Sequence, residues 1–269
     1  MNVDLLITTY NRPDALEMVL LAVRNQTILP FQVLIADDGS SQETAILIQH
    51  YQEDFPCKLI HVWHEDLGFR AAAIRNKALA QVKSPYVVII DGDMVLEKHF
   101  IEDHLNNAKP NQFLQGGRVL LTQEKTFTLL KKPAYFNPGF LENGVEHRLE
   151  KKFTAFRSPV LANLFRKDLT NRNKVRSCNM SFYMQDVIAV NGFDNRFVGW
   201  GREDSEFVER LFNYGLQGKL IKFEALAYHL YHAEEPKASL PQNDQLLKLT
   251  ISKKLTRCAD GLSAYLLEN

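Results

Sequence analysis

Cysteine is scarce in this chain. Cys57, Cys178 and Cys258 are spread over 269 residues with no Cys-x-x-Cys spacing. That excludes a disulfide scaffold, argues against structural zinc and suits reduced thiols in the cytoplasm. Glycine (13) and proline (10) are too few for a fibrous or disordered chain. No apolar run approaches the ~18 residues of a membrane span, and no basic-then-apolar leader opens the sequence. The expectation is a protein that neither crosses a bilayer nor is exported by that route. Charge of one sign is not in excess either, since Lys+Arg and Asp+Glu both number 32. Phosphate-binding loops are missing too: there is no GxxxxGK(S/T), and no GxGxxG follows the first apolar run. ATPases and dinucleotide oxidoreductases thereby lose their usual cradle.

What is present is alternation. Asp4–Thr8, Gln32–Ala36, Lys58–Trp63 and Tyr86–Ile90 read as short buried strands. Between them, Leu16, Val19, Leu20 and Val23 mark one helical face after Pro13, and further helices are expected over Gln42–Gln52 and Ala71–Val82. Strands alternating with helices predict an α/β fold with a mostly parallel sheet covered on both faces. Ligands of such sheets bind beyond the carboxyl ends of the strands. Thr8–Asn11, Asp37-Asp38, Glu65–Arg70 and Asp91–Asp93 all fall there. Later strands are expected over Phe113–Leu121, Asn179–Met184 and Gly218–Ala227. A helix through Phe207, Val208, Leu211 and Phe212 should stop at Gly215, and a last helix should run from Asn243.

Residues 122–176 lack sustained periodicity and hold 12 Lys/Arg against 5 Asp/Glu, a net +7. A solvated basic face is one reading. The other is peripheral contact of a cytoplasmic protein with anionic lipid on the inner membrane face, or with an anionic acceptor. Nucleic acid is not an expected partner, because no recognition helix or RNP pattern accompanies the charge.

Four clusters carry chemistry. Val87–Ile90 drives into Asp91-Gly92-Asp93, and two carboxylates so close raise each other's pKa unless a cation intervenes. A divalent ion with hard oxygen ligands, Mn²⁺ or Mg²⁺ bridging to substrate phosphates, would relieve them. Asp38 could accept from a nucleobase N–H, with Thr8 and Tyr10 lining the base pocket, although taken alone Asp37–Ser40 is better explained as an ordinary Asp-Gly turn. Gly199-Trp200-Gly201-Arg202-Glu203-Asp204 joins a flexible backbone, a flat indole for sugar C–H faces and two acids at a helix start. The macrodipole alone would also favour those acids, with Trp200 in the core. His229 and His232 follow an apolar strand. Residues three apart on an extended chain face opposite ways, so one of the two is expected to reach a metal.

Together these segments resemble the family 2 glycosyltransferases. The resemblance rests on Thr8-Thr9-Tyr10-Asn11-Arg12, Ala36–Ser40, Gly68-Phe69-Arg70 with Arg75-Asn76, and Asp91-Gly92-Asp93. Downstream, Asn179–Phe182 and Gly192-Phe193-Asp194 through Glu203-Asp204 are similar to the carboxyl-terminal region of β-1,4-galactosyltransferases and chondroitin polymerases.

The resemblance implies a GT-A, Rossmann-like nucleotide-sugar fold with a C-terminal acceptor-side subregion. A donor half would span 1–121 and an acceptor and catalytic-base half 122–269. It implies a UDP-sugar donor held by Thr8, Tyr10, Arg12, Asp38, Arg70, Arg75, Asp91, Gly92 and Asp93. The metal would bind Asp93 and His232, with His229 the alternative. Asn179, Trp200, Gly201, Arg202 and Glu203 would contact sugar, and Asp204 would be the general base of an inverting transfer to a glycan or lipid-linked glycan. Arg202 stands where the galactosyltransferase form has glycine, which leaves the sugar open. Two alternatives remain: a sugar-phosphate nucleotidyltransferase, against which the glycine-free Thr8–Pro13 turn counts, and a binding protein without turnover.

Overall fold

The computed structural model describes residues 1–136, 144–145, 156–169, 175–233 and 238–266. Eleven strands are described: β1 (Val3–Thr9), β2 (Gln32–Asp37), β3 (Lys58–Trp63), β4 (Tyr86–Asp91), β5 (Met94–Leu96), β6 (Gln112–Gln115), β7 (Val119–Leu120), β8 (Lys167–Asp168), β9 (Asn179–Tyr183), β10 (Gln217–Leu220) and β11 (Ala227–His229). Eight of them form one sheet in the order β3-β2-β1-β4-β9-β6-β10-β8, and β5-β11-β7 form a second. The expected α/β architecture is therefore present. β1, β2, β3 and β4 pair in parallel, whereas β9 enters antiparallel between β4 and β6.

Alternation along the strands divides the core in two. Leu5, Ile7, Val33, Ile35, Val88 and Ile90 point to one face and pack with Leu16, Val19, Leu20 and Val23 of the Pro13–Arg24 helix. Leu6, Leu34, Ala36, Val87 and Ile89 point to the other. There they meet Ile74, Ala78 and Leu79 of the Ala71–Leu79 helix and Phe207, Val208 and Leu211 of the Glu203–Tyr214 helix. Each fully buried side chain of this kind contributes roughly 1.5–3 kcal/mol. Because both faces are covered, the polar strand ends are left to form the rim.

Two expected strands are each broken. Phe113–Leu121 divides into β6 and β7, which lie in different sheets. The break falls at Gly116-Gly117, where a Cβ on Gly116 would sit 2.3 Å from the Asn179 side-chain amide. Gly218–Ala227 divides into β10 and β11, with Phe223 (φ 63°) and Ala225 (φ 49°) turning the chain from one sheet to the other. The helix expected from Asn243 starts three residues earlier, at Leu240, and a short helix, Ser263–Leu266, follows it. Within the basic 122–176 segment the described residues form two short helices, Gln123–Lys131 and Pro159–Phe165, and β8. The remainder of that segment, apart from Gly144–Val145 and a few flanking residues, lies outside the described residues. No described helix is long and apolar enough to cross a membrane.

Candidate active site

The Asp-Gly-Asp turn is shaped by its neighbour. Gly92 N–H donates to Thr8 O at 2.7 Å, and a Cβ at Gly92 would lie 3.0 Å from that oxygen and 3.1 Å from the Thr9 side chain. The middle residue is glycine because β1 passes too closely for a side chain. β5 begins immediately after Asp93 and pairs with β11, placing Met94 opposite His229, and Leu230 N–H donates to Asp93 O at 3.0 Å. A local turn and a long-range strand pair thus deliver the same carboxylate to the histidines.

Both histidines arrive. Asp93 Oδ2 lies 3.3 Å from His232 Nε2 and 3.6 Å from His229 Nε2, and one ligand atom from each of the three falls within 4.8 Å of the others. The expectation that one of them would point away is corrected. β11 ends at His229, so residues 230–232 are not bound by strand alternation and the two rings come within 5.1 Å. Burial lowers His229 to about 4, aided by Arg118, which leaves the imidazole neutral and able to ligate. Burial raises Asp93, opposed by the charges of His232, Arg12 and Arg118. Asp93 Oδ1 is buried without a hydrogen-bond partner. A carboxylate with an orphaned oxygen beside two imidazoles fits a divalent cation. The nitrogen donors favour Mn²⁺ over Mg²⁺, which prefers oxygen.

Arg75 joins this end of the cleft to the acids of the second half. It is 4% exposed. Its Nε donates to Thr8 Oγ1 (3.1 Å), its Nη2 to Asp91 Oδ1 (3.3 Å), and its Nη1 to Asp204 Oδ1 (3.3 Å) and Glu203 Oε1 (3.5 Å). Burial works to lower its pKa, but Asp204, Asp91 and Glu203 outweigh that and push it up. Asp204 Oδ2 also accepts from Ser177 N–H at 2.9 Å. Burial, then the Asp204 charge, raises Glu203 to about 7, against Arg75. Burial likewise raises Asp91, with Arg75 opposing. One buried cation therefore faces three carboxylates drawn from β4 and from the start of the Glu203–Tyr214 helix.

The end of the rim expected to hold a nucleobase is tied by Asp38. Its Oδ2 accepts from Arg70 N–H (2.8 Å) and its Oδ1 pairs with His64 Nε2 (2.7 Å), so it fastens the loop after β3 to the end of β2. A nucleobase N–H would share an oxygen that already accepts. Tyr10 is 46% exposed and donates to Asp66 Oδ2 at 2.9 Å, which raises its pKa. Arg12 Nε lies 3.1 Å from Asp14 Oδ1.

Two expected sugar contacts are reassigned. Asn179 is 1% exposed, donates to Gly117 O and Ala225 O, and has its oxygen 2.9 Å from His104 Nε2. Its amide is spent on joining strands, not on a ligand. Arg202 Nε donates to Asp244 Oδ1 at 2.6 Å, so its charge is turned to the Leu240–Lys253 helix. Trp200 keeps 38% exposure, while Gly201 (φ 103°) lets the chain turn into the helix.

Sequence reasoning missed Arg118 and Ser177. Arg118 sits just beyond the Gly116-Gly117 break, and reading that stretch as one strand hid its charge among apolar neighbours. Ser177 acts through its backbone, which has no side-chain signal.

A mostly parallel sheet thus carries an acidic turn at one strand end, and Arg75 links that turn to a second acidic pair at a helix start. Residues 4–170 match the family described as glycosyl transferase family 2, and residues 162–233 match the description "N-terminal domain of galactosyltransferase". The chain belongs to glycosyl transferase family 2. The first match also runs through most of the basic segment, where no motif is legible.

Among curated relatives, chondroitin synthase of Pasteurella multocida (strain Pm70) is 27% identical over 276 residues, covering 94% of this chain and 27% of that protein. Chondroitin synthase of Escherichia coli is 27% identical over 263 residues, covering 94% of this chain and 37% of that protein. The chain thus spans about a quarter to over a third of these relatives. Among solved structures, S. aureus TarS 1–349 in complex with UDP superposes with a TM-score of 0.62 at 14% identity, covering 100% of this chain and 70% of that one. That likeness shows a shared GT-A fold.

Proposed function

We propose that this chain is a metal-dependent inverting glycosyltransferase that moves a sugar from a UDP-sugar to a hydroxyl of a surface-glycan acceptor. The observation that carries the reading is the Arg75 bridge. It sets Asp91, two residues from the metal-type carboxylate Asp93, in the same buried network as Glu203 and Asp204. Support for the donor comes from the fold it shares with TarS, whose solved structures include complexes with UDP and with UDP-GlcNAc.

Asp93, His229 and His232 would hold the cation. When bound, it supplies positive charge against the diphosphate that departs. Arg12 and Arg118, whose charges already act on Asp93, add to the same field. The acceptor oxygen attacks the anomeric carbon as the bond to the diphosphate oxygen breaks on the opposite face. The acceptor proton passes to Asp204, which Ser177 N–H and Arg75 hold in orientation. Glu203, pushed up to about 7, keeps its proton part of the time near neutrality. That suits hydrogen bonding to a sugar hydroxyl better than abstraction of a proton. Trp200 offers its exposed indole face to a sugar ring.

A UDP-release assay over a panel of UDP-sugars tests the reading. The expected result is slow release from at least one donor with Mn²⁺, stopped by EDTA. Release that ignores EDTA would remove the metal from the scheme, and no release or UDP binding from any donor would remove the function.

A further inference from the structure

The loop carrying Trp200 is fastened on two sides, and one side is a helix that neither family match reaches. Toward the donor half, Gly199 N–H donates to Phe69 O at 2.8 Å. On the other side lies the Leu240–Lys253 helix, beyond the last matched residue at 233. Asn243 Nδ2 donates to Gly201 O at 2.8 Å, with longer reaches to Val198 O (3.4 Å) and Gly199 O (3.5 Å). Arg202 Nε donates to Asp244 Oδ1 at 2.6 Å. The loop backbone lies close against side chains at the start of that helix: a Cβ on Gly199 would lie 2.1 Å from Ser239 Oγ, and one on Gly201 would lie 3.1 Å from Leu240 Cδ1.

These anchors act on a backbone with little stiffness of its own. Gly199 (φ 74°), Gly201 (φ 103°) and Arg202 (φ 79°) all sit in the left-handed region. Two glycines leave the loop many conformations. The third position is unfavourable for a residue with a Cβ and persists where the surroundings hold it. A glycine at 202 would adopt that φ more readily but could not pair with Asp244. Asn243 is 1% exposed, so its hydrogen bonds to the loop are shielded from water. Glu203 and Asp204 follow Arg202 directly, and whatever fixes Arg202 also fixes the start of the helix that aims both acids at Arg75.

We infer that Asn243 and Asp244, acting with Arg202, are positioning residues that hold the Trp200 loop and the Glu203-Asp204 helix start ready for transfer. The Leu240–Lys253 helix is then part of the acceptor-side apparatus. The latch itself stands on geometry. Its bearing on transfer rests on the glycosyltransferase reading.

The sequence contains two tryptophans, Trp63 and Trp200. In a Trp63→Phe background the indole signal belongs to Trp200 alone. Asp244→Ala is expected to raise acrylamide quenching of Trp200 at least about twofold, as a loop released from its anchor becomes locally mobile. The rate of UDP release from the donor that wild type turns over should fall at least about tenfold. The affinity for UDP with Mn²⁺ should change less than about twofold, because the donor end is untouched. The charge-swapped pair Arg202→Asp with Asp244→Arg should recover most of both losses, a coupling that a merely structural role would not show. If Asp244→Ala does not fold, Asp244→Asn and Arg202→Lys keep the comparison, with the lysine expected to retain more order than the asparagine. Unchanged quenching overturns the latch whatever the enzyme does. A swap no better than the single variants, or a loss of UDP affinity in step with the rate, overturns the positioning role. A wild type that neither binds UDP nor releases it overturns the glycosyltransferase reading instead, and the quenching arm still decides the latch.

Discussion

Residues 1–121 and 122–269 supply one cleft by different means. The first part builds its share mainly from repeated units: β1, β2, β3 and β4 run parallel, end at the same rim, and are each followed there by a polar cluster. The second part brings single pieces into a frame that already exists. β9 inserts antiparallel beside β4, β10 and β8 extend the far side, and β11 pairs with β5 next to Asp93. The comparison teaches that the proposed site belongs to neither part alone. Asp93 needs His229 and His232, and Arg75 needs Asp204 and Glu203, so each half completes the electrostatics of the other.

The sharpest way to break this picture is to remove Asp93. Asp93→Asn should reduce UDP release by more than about 1,000-fold, because metal charge stabilisation is worth several kcal/mol. Calorimetric titration should show Mn²⁺ binding weakened in the same variant. Intact Mn²⁺ affinity would move the cation elsewhere.

Next in size is a test of interlock. Met180 is fully buried on β9, a strand of the second half held between β4 and β6 of the first. Met180→Ala should cost about 2–5 kcal/mol of folding stability. Urea unfolding followed by Trp63 in one single-tryptophan variant and by Trp200 in another should give the same midpoint. Separate midpoints would mean that the halves fold on their own.

A smaller effect concerns Glu203. Its folded pKa is raised from 4.5 to about 7. The folded chain therefore holds this proton where the unfolded chain has released it, and the associated stability is present below pH 4.5 and lost as pH rises toward 7. Glu203→Gln should flatten the fall in stability across that window, by at most about 3 kcal/mol. Chemical denaturation at pH 4.5 and 7.5 reads the difference, and an unaltered slope would assign the titration to another group. The mildest change is Gly92→Ala. Displacing β1 from the turn should cost about 1–3 kcal/mol and widen the Asp93–histidine cluster, measured as weaker Mn²⁺ binding beside a modest shift in the urea midpoint.

The same contrast explains what could be read in advance. In the first half, short continuous apolar runs and their polar ends are enough to place Asp38, Asp91 and Asp93 on one rim, because a parallel sheet leaves few choices. Gly215 was legible as a stop because its φ of 107° and the Leu216 N–H to Leu211 O bond are a local motif. The second half hid more. Asn179 sits within a recognisable motif, yet its amide serves the packing of Gly116 and the strands around it, a fact set by long-range contact. Both histidines reach Asp93 because the chain leaves β11 at His229, and strand ends are the least legible boundaries. Arg75 is expected as a donor contact, and besides Thr8 and Asp91 it bonds Glu203 and Asp204, 128 and 129 residues away. No spacing encodes that.

The central claim is that donor grip and proton removal are separate tasks on two sides of one cleft, and one comparison addresses it directly. Asp204→Asn should bind UDP with Mn²⁺ as wild type does, to within about threefold, while UDP release with acceptor glycan falls by about 100- to 10,000-fold. Equal loss of binding and turnover in a folded Asp204→Asn chain would place Asp204 in the donor site and contradict the account.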